Sequence, residues 1–407
     1  MNILVVSDFF PPLNSAGAEK ITKILVEKFS KKNKVYLIST NSHIPHGEVR
    51  KKSLNGYTHF QIGYKPPKRF QKYLGFYNSM LMKTISQIID NYSFDVANVH
   101  NIHNVISYGV ISLLKSKGIK TFFTAHDAVS LCYGKYSNGV MLNSKFEYPN
   151  VEYKLDHFQI FKKNWRRLIP FRFYYLRKVL RGVDKIICVS CELEKLFNAN
   201  KINNTIVIHN GIELKNYSLD LQRKSIKNKL KFDSSTRLIL FAARISKEKG
   251  LNEALNLIEK INQSNANIKL LCVGLDKKIK NQQNVISYSW LSDQNMEDLL
   301  NIVDLTIVPS IYLDPFPTII LESMRFGVPV VVSSYSGGKE AVIDGETGYH
   351  VNPFNVNQFS EKCLNLLTDE KLNMTFSKNS ISLFKKKYVA ELFAEKYLKV
   401  FNNEKLL

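Results

Sequence analysis

Long apolar runs are missing from this chain: none approaches the roughly 18 residues that a membrane-spanning helix needs. The first residues do not have the pattern expected of a leader either. Met-Asn-Ile-Leu-Val-Val-Ser-Asp has no basic start and puts Asp8 where a signal peptide is apolar, so it reads as the first β-strand of a cytoplasmic protein. Cysteine is scarce. The five cysteines, at 132, 188, 191, 272 and 363, are odd in number and thinly spread, which argues against a disulfide framework. Cys188 and Cys191 form one C-x2-C, but no second pair or histidine cluster completes a zinc site, so they read as two packed thiols in a reducing compartment. Acidic residues are short as well: 35 Asp and Glu stand against 57 Lys and Arg, a formal charge of +22. No helix-turn-helix, finger or RNA-binding signature accompanies that charge, so nucleic acid is not expected as a partner.

The basic excess is lopsided. Up to Glu213 there are 31 basic and 14 acidic residues; beyond it the counts are 26 and 21. The peak runs from Lys154 to Lys185, with ten Lys or Arg, two acidic residues and seven aromatics. Lys162, Lys163, Trp165, Arg166 and Arg167 are its densest part. Cations mixed with aromatics suit an anionic membrane surface. The alternative, a compositional bias of a Lys- and Asn-rich sequence, stays open at this stage.

At 407 residues the chain fits two domains of about 200 residues each. Apolar runs alternate with helical patterns throughout, the mark of parallel βαβ units in an α/β fold. In the first half, strands are expected at 3–7, 35–40, 58–63, 96–100, 120–125, 185–189 and 205–209. Helices are expected near 18–30, 77–91, 105–117, 171–181 and 192–198. A polar stretch at 214–233 precedes a second alternation. Its strands fall at 238–243, 269–273, 285–288, 305–308, 330–333 and 348–351, and its helices near 251–263, 293–303, 318–326, 339–343 and 358–367. A last helix is expected at about 389–401. The domains are therefore placed at 1–213 and 214–387, with a terminal segment at 388–407. Both read as doubly wound Rossmann-like domains, with a ligand cleft between the carboxyl ends of their strands.

Residues 309–332 carry the densest chemistry. A strand runs into a polar loop holding Asp314, then a helix holding Glu322, then a second strand. The helix start near Pro317 and Thr318 offers free backbone N–H groups to an anionic or hydroxyl-rich ligand. Arg244 and Lys249 stand five residues apart around another strand-to-helix turn, where both can reach a diphosphate. Gly17 lies at a helix entry after Asp8, where a glycine lets the backbone approach a phosphate. His126 ends the strand at 120–125, a cleft position suited to bonding a substrate hydroxyl. His100 and His103 follow another strand end and read as structural or acceptor-side.

Asp314-Pro315-Phe316-Pro317 followed by Glu322 resembles the acidic-x7-acidic motif of retaining family 4 glycosyltransferases of the GT-B fold. Ala243-Arg244 to Lys249-Gly250 resembles the Gly-Arg-x4-Lys-Gly signature of that family, Gly17 its glycine loop, and His126-Asp127 its Thr-x-His-Asp sequence. The departures are Asp314 for the usual Glu, Pro317 for a Gly that would donate an N–H, and Ala16 and Ala243 for glycines. The resemblance implies transfer of a sugar from a nucleotide diphosphate to a hydroxyl acceptor. On it, Glu322 binds the ribose, Asp314 faces the sugar, and Phe316, Thr318 and Ile319 supply the remaining donor contacts. His126 bonds the sugar, while Arg244 and Lys249 stabilise the departing diphosphate. The first domain then binds the acceptor, a glycan or lipid-linked glycan, and the terminal helix crosses back to it.

No Asp-x-Asp occurs, the pair that glycosyltransferases of the other common fold use to hold a metal, so neither metal nor cofactor is expected. The expected location is the inner face of the cell membrane, held peripherally. The rivals are a sugar-nucleotide epimerase or a phosphorylase on the same fold, and a non-catalytic basic protein that binds lipid or RNA.

Overall fold

Two mostly parallel sheets organise the chain, and it divides into two units around them. The computed structural model describes residues 1–13, 17–65, 77–132, 151–156, 171–215, 219–244, 246–263, 267–275, 279 and 284–406. The first unit holds the described residues up to 132, those from Tyr153 to Glu213, and the stretch from Ala390 onward; the second is built on Leu214–Val389.

The first unit has β1 (Asn2–Val6), α1 (Gly17–Phe29), β2 (Lys34–Asn41), β3 (Val49–Leu54), β4 (Tyr57–Gly63), α2 (Ser79–Asp90) and β5 (Val96–Val99). It continues with α3 (Gly109–Ser116), β6 (Lys120–Ala125), α4 (Arg172–Arg181), β7 (Lys185–Cys188), α5 (Cys191–Ala199) and β8 (Thr205–Val207). The strand order is β3-β4-β2-β1-β5-β6-β7-β8, parallel except for the β3–β4 hairpin. Central β1 reads Ile-Leu-Val-Val without alternation because both faces of a parallel sheet are covered; all four side chains are buried.

In the second unit α6 (Leu219–Lys229) precedes β9 (Arg237–Ala242), a 3-10 turn at Lys247–Lys249, α7 (Leu251–Asn262), β10 (Ile268–Val273), β11 (Val285–Tyr288) and α8 (Asp293–Ile302). Then come β12 (Leu305–Val308), α9 (Thr318–Arg325), β13 (Val330–Ser333), β14 (Gly348–Val351), α10 (Val356–Thr368) and α11 (Glu370–Lys387). The order β11-β10-β9-β12-β13-β14 is parallel throughout. Apolar side chains pack on both faces of this sheet, around Leu257, Ile261 and Phe359 on one and Leu240, Leu271 and Leu300 on the other.

The terminal helix α12 (Ala390–Phe401) belongs to the first unit. Phe401 and Tyr397 pack on Phe29 of α1, with ring centroids 5.6 and 6.2 Å away, and Phe401 also meets Phe122 of β6. Lys28 donates to Glu213 at 2.7 Å and to Glu391 at 2.6 Å, and the Ala390 N–H donates to Ile212. One lysine thus fastens both the residue at which the chain leaves this unit and the helix with which it returns.

Several expectations change. β3 was not expected: Val-Arg-Lys-Lys-Ser-Leu is exposed along its whole length, an edge strand blunted by cations. The signal for it lay in Asn55-Gly56, whose positive φ values of 31° and 89° make the hairpin turn. The helix expected from 105 begins only at Gly109, because the backbone N–H groups of Asn104, Val105 and Ile106 donate to Asp8 instead. The helix expected at 339–343 is a single 3-10 turn, Gly337–Ala341. Two helices were unread. α6 sits in the polar stretch, and α11 hides its buried face of Phe376, Ser380 and Phe384 among Ser, Asn and Lys. Cys188 is packed as expected, but Cys191 is exposed at the start of α5.

Candidate active site

Each sheet reverses its winding beside its first strand: between β1 and β5 in the first unit, and between β9 and β12 in the second. At such a switch point the loops leaving the carboxyl ends diverge and open a crevice. The sequence places its chemistry at both.

In the second unit β9 leads to Arg244, which is exposed, and then to the 3-10 turn that carries Lys249. Gly250 follows at φ 83°, and a Cβ there would lie 1.9 Å from the carbonyl oxygen of Pro309. Only glycine brings these two loops so close. The Ile311 N–H donates to the Glu248 carbonyl at 2.8 Å and stitches the loop after β12 to the same turn. In the buried segment Ser310-Ile311-Tyr312-Leu313-Asp314, alternate side chains converge on one point. Lys249 Nζ donates to Asp314 Oδ2 at 2.6 Å, Ser310 Oγ donates to the same oxygen at 2.8 Å, and Lys249 Nζ stands 5.4 Å over the Tyr312 ring. Asp314 is 4% exposed, and these two donors satisfy its buried Oδ2.

The loop ends at Pro317, the N-cap of α9, whose side chain makes no cap bond. Thr318 and Ile319, both half-buried, open the helix, where backbone N–H groups have no acceptor one turn back. Glu322 is half-buried one turn along, on the same face as Thr318. Phe316 is buried with its ring 6.2 Å from Tyr388, so its side chain goes into packing, and only its backbone remains for a ligand.

In the first unit Asp8 follows β1 and is fully buried. Burial raises its carboxyl to about 6, opposed by the nearby His103 and by the three N–H groups it accepts. His126 follows β6, half-buried, and meets His100 at the end of β5, with His126 Nε2 3.0 Å from His100 Nδ1. Burial pushes the His126 imidazole down to about 4 and that of His100 well below its usual range. Gly17 is the first residue of α1. Lys162, Lys163, Trp165, Arg166 and Arg167 lie outside the described residues.

Lys249 and Asp314 are thus directly joined, and Thr318, Ile319 and Glu322 follow on the same loop and helix. Arg244, between β9 and the turn, is exposed. The sequence reading missed Ser310 and Tyr312, although their alternation with Asp314 after a strand was visible. It also missed that His100 is the partner of His126.

The chain resembles known proteins along most of its length. Residues 15–216 match the family described as Glycosyltransferase Family 4, and residues 222–383 match Glycosyl transferases group 1. An uncharacterized glycosyltransferase of Methanocaldococcus jannaschii is 26% identical over 315 residues, 72% of this chain and 84% of its own. The capsular polysaccharide biosynthesis glycosyltransferase CapM of Staphylococcus aureus is 25% identical over 252 residues, 57% of this chain and 65% of its own, so slightly less than two thirds of it is spanned. Among solved structures, sucrose-phosphate synthase of Thermosynechococcus elongatus superposes with a TM-score of 0.74 at 15% identity, covering 99% of this chain and 98% of that one. Anabaena HepE in complex with UDP-glucose gives 0.68 at 14% identity, covering 99% and 100%. These two likenesses concern the fold, which is GT-B. With two family profiles spanning nearly the whole sequence, the chain belongs to the glycosyltransferases of family 4 and group 1.

Proposed function

We propose that this glycosyltransferase takes a nucleotide-diphosphate sugar as donor and moves the sugar, with retention and without a metal, to a hydroxyl of a lipid-linked glycan in bacterial surface polysaccharide synthesis. The observation that carries the reading is the cluster beside the second switch point, with Arg244, Lys249, Asp314 and the start of α9 on adjoining loops. Lys249, Arg244 and the free N–H groups of Thr318 and Ile319 supply positive charge to a diphosphate, which removes the need for a metal at the leaving group. Glu322 accepts from the ribose hydroxyls and Asp314 from a sugar hydroxyl. The HepE complex with UDP-glucose supports a nucleotide sugar as donor. The role of CapM in capsule biosynthesis supports the acceptor class.

In the transfer, the anomeric carbon–oxygen bond to the diphosphate breaks while the acceptor oxygen bonds that carbon from the same face. The acceptor proton passes to the departing phosphate oxygen. No covalent bond to the enzyme forms.

For the membrane, α4 offers a surface. Phe171, 83% exposed, and Tyr174, 73% exposed, align with exposed Lys178 and Arg181 at helical spacing, while Arg172, Leu176, Val179 and Leu180 are buried on the other side. Aromatics at one end and cations at the other suit an anionic bilayer on the inner face of the cell membrane. Among the described residues no helix is long and apolar enough to cross a membrane.

The test is a screen of nucleotide sugars for binding and slow hydrolysis, repeated in excess EDTA, with the anomeric configuration of the released sugar read by proton NMR. Binding and turnover in chelator with retained configuration are expected. No binding of any nucleotide sugar, or turnover only with an added divalent ion, refutes the corresponding part of the reading.

A further inference from the structure

His100 is fully buried, is used by no step above, and yet touches a residue assigned to the substrate. Its ring and that of His126 stack with centroids 5.3 Å apart and 26° between planes, and His100 Nδ1 lies 3.0 Å from His126 Nε2. Burial keeps both imidazoles neutral at neutral pH. Two neutral imidazoles in one hydrogen bond hold a single proton between them, so their tautomers are linked. If His100 donates, its Nε2 is bare and the proton of His126 sits on Nδ1. If His126 donates, its Nδ1 is bare and His100 carries its proton on Nε2.

One observation separates these states. His100 Nε2 is buried without a hydrogen-bond partner. The second state would therefore bury an N–H with no acceptor, an arrangement that folded proteins rarely contain. From this geometry we infer that His100 is a positioning residue that donates from Nδ1 to His126 Nε2 and locks His126 as the Nδ1–H tautomer, a neutral hydrogen-bond donor.

The consequence is a rule for the ligand. The atom facing His126 Nδ1 is an acceptor oxygen, of a sugar hydroxyl or of a phosphate, and not an ammonium or amide N–H. His126 then serves as a fixed donor rather than as a base. The ligand rule rests on the proposed transfer reaction; the tautomer does not.

The test uses the full chain with nitrogen-15 in its histidines, at neutral pH and without substrate. Long-range proton–nitrogen spectra distinguish protonated from bare ring nitrogens, and His126→Gln identifies the His126 ring by loss of its signals. Nδ1 protonated and Nε2 bare is expected, giving way to an averaged mixture in His100→Leu. Nε2 protonated in the native chain, or a pattern unchanged in His100→Leu, overturns the inference. His100→Asn places an amide N–H near the former Nδ1 and should keep the native pattern; the native spectrum itself needs no variant to fold. With a donor sugar in hand, kcat should fall about tenfold in His100→Leu and recover in His100→Asn, with KM for the donor little changed. Equal kcat in all three proteins would remove the positioning role and leave the transfer reading standing.

Discussion

Asp314 is bonded to Lys249, the cation assigned to the diphosphate in the proposed reaction, so replacing it with Asn should tighten binding of the nucleotide while slowing transfer. Lys249 Nζ and Asp314 Oδ2 are 2.6 Å apart, with side chains 20% and 5% exposed. A diphosphate on the open side of Lys249 would stand about 6 Å from the carboxylate, a repulsion of about 3 kcal/mol per unit charge at an effective dielectric constant of about 20. Solvent at the partly exposed lysine reduces this, leaving about 1–2 kcal/mol, or roughly tenfold in affinity. The unpaired ammonium left in Asp314→Asn adds to the effect, because binding a phosphate satisfies it. Asn keeps the shape and an oxygen for Ser310. Calorimetric titration of UDP into native and variant protein at two salt concentrations measures the change. Affinity about tenfold higher, kcat at least about 100-fold lower, and a larger rise in Tm on adding UDP are expected. Unchanged or weaker UDP binding would refute the idea that the carboxylate competes for Lys249.

Arg244→Ala and Lys249→Ala should each lower turnover at least about 100-fold, the scale of one lost charge-stabilising donor, and near-native rates in both would remove the diphosphate assignment. Gly250→Ala should cost at least about 3 kcal/mol of stability in denaturant unfolding, since the added Cβ meets the Pro309 carbonyl and the backbone is left-handed; a loss under about 1 kcal/mol would show that the two loops can separate freely. Burial raises the Asp8 carboxyl from 3.8 to about 6, so its protonated form favours the folded state. That contribution is complete below about pH 4 and lost as the pH rises through about 6, roughly 3 kcal/mol in all. The unfolding free energy of native protein minus that of Asp8→Asn should fall accordingly, and a flat difference contradicts the burial argument. Replacing Phe171, Tyr174, Lys178 and Arg181 with Ser and Gln should weaken sedimentation with anionic vesicles while sparing donor affinity, and equal binding to neutral vesicles would leave the basic excess as composition only.

The strands were legible wherever a parallel sheet buries them on both faces, as in Ile3–Val6 or Val330–Val332, because such runs are continuously apolar. Elements with a single buried stripe were harder to see. α11 packs only Phe376, Ser380 and Phe384 inward, and a serine breaks the stripe where its hydroxyl donates to Thr347. β3 buries none of its side chains, so no hydrophobic pattern marks it; only the Asn-Gly turn does. At the candidate site, residue types and spacing singled out Arg244, Lys249, Asp314, Glu322 and His126. They did not tell that Lys249 closes on Asp314, or that the Phe316 ring faces inward.

Local chemistry therefore determined a great deal by itself: two α/β halves, the strand-to-helix turns, the cations and carboxylates on them, and the absence of any apolar stretch long enough to span a bilayer. These follow from near-neighbour rules, namely side-chain periodicity, glycine and proline at turns, and the polarity of helix ends. Contacts between residues distant in sequence belonged to the tertiary structure. Asp8 diverts three N–H groups nearly a hundred residues away from a helix into a loop, and His100 reaches His126 only because β5 and β6 are neighbours. Lys28 gathers Glu213 and Glu391 only once α12 has folded onto α1. A sequence records which groups are present. Which buried donor meets which acceptor depends on strand order and packing, because only the folded sheet brings such partners within bonding distance.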